Sequence, residues 1–165
     1  MEKIMNELFG NANGKLLTKY FNIIIDYQKK NNISCQCLIN TCFYIYCLNH
    51  INELIGNKQD INAIPVIALE NNNNKLSKIY IHVVIKINDI IIDPSYETYL
   101  NVKYYENIDN IKNFLSLNMS KQEIKKHFIE FKEITDKINC GSYIVPDQKY
   151  FNDLSNYINT NHYKY

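Results

Sequence analysis

The sequence contains no arginine, no C-x-x-C pair and no long apolar run, and its net charge over 165 residues is only +1. Each of these absences removes a class of function. Arginine supplies the bidentate contacts to phosphates and base edges. Its absence, together with the near-neutral charge, predicts no nucleic-acid partner. With no run of about 18 apolar residues, no membrane span and no membrane partner are expected. The opening "MEKIMNELFG" has neither the basic block nor the apolar block of a secretory signal, so a cytoplasmic location is expected. The paired knuckles of common zinc modules are missing as well.

What is present is ordinary globular composition, 46% apolar and 21% charged, in a chain long enough for one core. With no repeats and no linker, residues 1–165 read as a single domain. Five cysteines stand at positions 35, 37, 42, 47 and 140. In a helix, steps of five residues place Cys37, Cys42 and Cys47 far apart around the axis, so they cannot converge on one ion. Buried thiols and no cofactor are the expectation. A zinc site built from Cys35, Cys37, Cys140 and His82 is a weaker alternative.

Apolar residues at helical spacing predict a helix over residues 15–30. A second helix is expected to start between Ser34 and Cys37 and to end near Gly56. Between Cys37 and Ile51 its apolar residues lie on every side, which predicts a buried helix. Strands are expected at Ile64 to Glu70, at Ile79 to Ile87 and at Ile90 to Asp93, with Asn88-Asp89 as a tight turn. Helices are expected over 107–117 and 120–138, the latter opened by a Ser120–Glu123 capping box. A loop with a short strand and a final helix over 149–159 complete an α+β domain, with helices flanking an antiparallel sheet.

The hairpin "KIYIHVVIKINDIIIDPSYE" (Lys78 to Glu97) carries one histidine and one aspartate among isoleucines and valines. If Asn88 and Asp89 form a two-residue loop, Val84 faces Asp93. His82 and Asp93 then become diagonal neighbours on one face. A carboxylate bonded to one ring nitrogen leaves the other free as a base. The start of the buried helix offers a thiol, favoured as thiolate by the helix dipole and a nearby imidazolium. Its backbone N–H groups could also hold an oxyanion.

The segment "QCLINT" (Gln36 to Thr41) is similar to a C-x-x-N element, and "IHVVIKINDIIIDPSYE" to a histidine strand, short turn and DP[TS] segment. Together they resemble a compact branch of the papain-like and transglutaminase-like Cys-His-Asp superfamily. That resemblance covers residues 33–97. It implies a nucleophile helix packed on an antiparallel sheet, with Cys37 as nucleophile, His82 as general base, Asp93 as its orienting acid and Asn40 as the motif asparagine. Cys35 stays open as an alternative nucleophile.

The expected activity is a thiol hydrolase of the cysteine-peptidase kind, acting on an amide or isopeptide bond of a peptide or protein substrate. An acyltransferase of transglutaminase or arylamine acetyltransferase type, or a non-catalytic protein-binding member of the fold, is the alternative. Gln36 and Gln28 are candidate oxyanion donors, and Tyr96 and Tyr99 candidate groove residues. His50 lies about 20 Å along the helix from Cys37, too far to serve it. His127, on a polar helix, and His162, in the tail, do not compete.

Overall fold

Apolar spacing in the first third of the chain produces three helices: α1 (Glu2–Phe9), α2 (Asn11–Asn31) and α3 (Cys37–Leu54). The computed structural model describes residues 1–72, 75–95, 101–111 and 119–161. The first helix was not expected. Met5 and Phe9 bury its apolar side, and Gly10, at φ 81°, separates it from α2. The two helices approach so closely that a Cβ on Gly14 would lie 2.5 Å from the Asn6 backbone nitrogen.

Four antiparallel strands follow: β1 (Ile61–Asn72), β2 (Lys75–Ile87), β3 (Ile90–Ile92) and β4 (Val102–Tyr105), in spatial order β3-β2-β1-β4. The hairpin has the expected register, with Ile87 opposite Ile90 and Ile85 opposite Ile92. Asn88 supplies the positive φ (53°) that a two-residue loop favours. Its side chain accepts a hydrogen bond from the Asp60 N–H.

Both long strands run past their expected bounds, through polar residues such as Asn62 and Lys78 that pair in the ladder regardless. Strand β4 was not expected. Of the helix expected over 107–117, the described residues show a 3-10 turn at Ile108–Asn110, and 112–118 lie outside the described residues.

Two open sheet edges are closed by side chains. Strand β4 pairs with β1 only from Ile67 to Glu70. Further along the same edge, Asn139 donates to the Ala63 carbonyl at 2.9 Å and accepts from its N–H at 2.7 Å. Pro65 lies two residues on, with the same outward direction. It has no N–H to leave unpaired there. On the other side β3 stops after Ile92, opposite Ile85. At the bare stretch of β2 just beyond, the Thr41 hydroxyl donates to the Val83 carbonyl at 3.4 Å. That contact seats the start of α3 against the sheet.

The chain ends in α4 (Lys121–Asn139), with the expected Ser120–Glu123 capping box, and α5 (Gln148–Asn161). The short strand expected between them is absent. The N–H groups of Ser142 and Tyr143 both turn back to the Lys137 carbonyl and close α4 instead of joining a ladder.

A large core joins Leu17, Ile24, Tyr44, Leu48, Ile85, Ile87 and Leu154, and a smaller one joins Ile67, Ile79, Ile108 and Ile124. Helix α3 is not enclosed on every side: Tyr46, Asn49 and His50 form an exposed stripe. The architecture is α+β. Among the described residues no helix is long and apolar enough to cross a membrane.

Candidate active site

Cys37 is the first residue of α3, with Gln36 as its N-cap. Gln36 makes no capping hydrogen bond through its side chain, and Asn40 is the first residue whose N–H bonds back, to the Gln36 carbonyl at 3.0 Å. Helix starts of this kind leave N–H groups unsatisfied within the helix and a positive dipole end beside the thiol. Thr41, one turn later, fixes the approach of this helix end to β2. Cys37 is half-buried.

His82 sits on β2 opposite Val66 and is 2% exposed. Its Nε2 lies 2.9 Å from Asp93 Oδ2. Asp93, immediately after β3, is equally buried, and its Oδ1 accepts from the Ser95 N–H at 3.0 Å. Because Asp93 holds Nε2, Nδ1 is the ring nitrogen left for the Cys37 thiol, which lies close enough to act on the imidazole. Burial works against a charged imidazole. The hydrogen bonds to Asp93 and Cys37, and then the charges of those two groups, outweigh it and raise the His82 pKa to about 10. The three side chains expected to meet do meet, and the thiol facing the ring is Cys37. Cys35 is exposed, in a left-handed conformation (φ 61°) ahead of the helix.

Two further tyrosines frame the ring. Tyr104 on β4 stacks on His82 with ring centroids 5.9 Å apart and planes 11° apart, and its hydroxyl donates to Asp93 Oδ2. Tyr80 meets the imidazole edge-on at 6.0 Å. Sequence reasoning missed Tyr104, because its position depends on an unexpected strand, β4, pairing beside β1.

Gln28 does not fit an oxyanion donor as folded. Its amide nitrogen donates to the Ile24 and Pro94 carbonyls at 3.1 and 3.0 Å, so it ties α2 to the segment that carries Asp93. Asn40, fully buried, accepts from the Tyr150 hydroxyl at 2.7 Å, linking α3 to α5. Its Nδ2 has no partner among the described residues. Tyr143, whose pKa is raised by burial and then by the Cys42 and Cys37 charges, stands near the start of α3.

His50 is exposed far along α3, and half-exposed His127 pairs with Glu130 at 2.9 Å on α4. Tyr96, Tyr99 and His162 lie outside the described residues. Among the described residues no three His, Cys, Asp or Glu side chains converge as metal ligands. Cys140 bonds instead to the Ser142 hydroxyl at 3.0 Å, at the end of α4. None of the five cysteines is in a disulfide.

Comparison with protein-family models, curated proteins and solved structures found no significant match to this chain.

Proposed function

We propose that the chain is a thiol hydrolase with a papain-like or transglutaminase-like core, acting on an amide or isopeptide bond of a peptide or protein. One observation carries this reading: a thiol at the first residue of a helix lies beside an imidazole whose Nε2 is held by a buried carboxylate. Each of these features favours a thiolate–imidazolium pair.

In the proposed reaction, the Cys37 sulfur attacks the carbonyl carbon and the carbonyl electrons move to oxygen. N–H groups at the start of α3 receive that oxyanion. On collapse the C–N bond breaks, the leaving amine takes the His82 proton, and an acyl-thioester remains. Water then gives a proton to His82 as its oxygen attacks the thioester. The carboxylic acid leaves and Cys37 is restored. Asp93 keeps the ring oriented throughout, in the manner of an orienting acid in other triads. An amine in place of that water would give acyl transfer through the same groups.

The test is trapping with a peptide carrying an electrophilic warhead, followed by peptide mapping. A single adduct on Cys37, lost in Cys37→Ser and strongly slowed in His82→Ala, is the expected result. An adduct rate at Cys37 no greater than at Cys35 would leave a binding module of the same fold as the better account.

A further inference from the structure

Tyr104 and His82 belong to strands that are not neighbours, since β1 runs between β4 and β2. Adjacent strands lie roughly 4.8 Å apart, so these two backbones are separated by about twice that. Their rings nevertheless stack at 5.9 Å. The register explains how. On β1 the residue paired with both Tyr104 and Tyr80 is Ala68, fully buried. Its neighbour on the same face, Val66, pairs with His82. A methyl group at position 68 leaves room for the Tyr104 ring to lean across β1 onto the imidazole.

The hydroxyl end of Tyr104 is aimed with equal economy. It donates to Asp93 Oδ2, the same oxygen that accepts from His82 Nε2. The other oxygen, Oδ1, is taken by the Ser95 N–H. Among the described residues, the titratable groups facing His82 are therefore Cys37 from α3, Tyr80 from its own strand, Asp93 from the segment after β3, and Tyr104 from β4. Tyr104 is the one that reaches both ring and carboxylate.

We propose that Tyr104 is a positioning residue that tunes His82: its ring holds one face of the imidazole while its hydroxyl competes with the His82 N–H for a single oxygen of Asp93. A donor bonded to a carboxylate draws off part of the negative charge that the imidazolium would otherwise feel. Tyr104 thus keeps the imidazolium more acidic than an unshared Asp93 would, so that the ring can release its proton to a leaving group. This inference rests on the Cys37–His82–Asp93 reading of the site, but its readout does not need turnover.

The experiment is an NMR pH titration of the His82 ring in the full chain, its resonances assigned by their loss in His82→Gln. In Tyr104→Phe the His82 pKa should rise by roughly half to one unit, the scale of one lost hydrogen bond. In Tyr104→Leu, without the stacked ring, the same rise should come with broadened ring resonances. An unmoved or lowered titration in folded Tyr104→Phe overturns the proposal. If Tyr104→Phe does not fold, the chain carrying 4-aminophenylalanine at position 104, whose N–H is the weaker donor, should titrate higher at His82. No change there overturns it equally. A shifted His82 beside an unreactive Cys37 would reject the hydrolase and keep the tuning role. A reactive Cys37 with an unmoved His82 would do the reverse.

Discussion

Thr41 and Val83 join helix to sheet: the hydroxyl one turn after the candidate nucleophile donates to the carbonyl one residue after the candidate base. The bond exists because β3 is only three residues long and leaves that carbonyl without a strand partner. Thr41→Val keeps the shape and removes the donor. It should lower stability in urea denaturation by about 1 kcal/mol, the net worth of one buried hydrogen bond. It should also slow Cys37 alkylation, since small misplacements of reacting groups are expensive. Lost stability with unchanged alkylation would reduce Thr41 to a packing role.

The thiols should separate sharply by reactivity. Burial pushes Cys42 up to about 12 and Cys47 up to about 11, so both should resist iodoacetamide at pH 8. Cys140 is exposed, and its hydrogen bond with the Ser142 hydroxyl lowers its pKa, so it should label readily. Peptide mapping at pH 6 to 8 should find adducts on Cys37 and Cys140 ahead of Cys42 and Cys47. Cys140→Ser should leave Cys37 dominant.

Stability should fall on the alkaline side through His82. Its folded pKa of about 10 lies above the ordinary 6.5, so the folded state binds the proton more tightly than the unfolded chain. That contribution is fully present below about pH 6.5 and is lost as pH rises through about 10. Urea denaturation between pH 6 and 10 should show this decline. His82→Gln should be less stable at neutral pH, with a flatter profile over the same window. Parallel profiles for the two proteins would contradict the raised pKa.

Gly14→Ala should destabilise the chain, although alanine is the better helix former. The added methyl would sit 2.5 Å from a backbone nitrogen of α1, and backbone cannot yield as a side chain can. A loss of roughly 1–3 kcal/mol is expected, as for other overpacked sites. Circular dichroism melts would detect it as a lowered Tm.

The parts of this fold that were legible in the sequence are those set by short-range rules. The Asn88-Asp89 turn determined the register of the hairpin, and register alone placed His82 and Asp93 on one face. Ser120 and Glu123 marked the start of α4 for the same local reason. The tyrosine that joins His82 and Asp93 was not legible. Tyr104 reaches His82 only because Ala68 is small and lies between two strands far apart in sequence. Gln28 looked like an oxyanion donor by type. Its use depends on the Pro94 carbonyl, 66 residues away. The alternative metal set failed on the same distinction: its members are compatible in chemistry, but among the described residues no three such ligands converge.

The paired bonds between Asn139 and Ala63 have a consequence for how this chain could grip another polypeptide. Along the outer border of β1, Ala63 is taken by a side-chain amide, Pro65 has no hydrogen to offer, and Ile67 to Glu70 are matched by β4. Among the described residues, a visiting extended segment therefore finds no continuous rail of open backbone groups along β1 to be stitched onto. Along β1, whatever this chain grasps must be held by side chains and shape, and sister copies cannot ribbon together there.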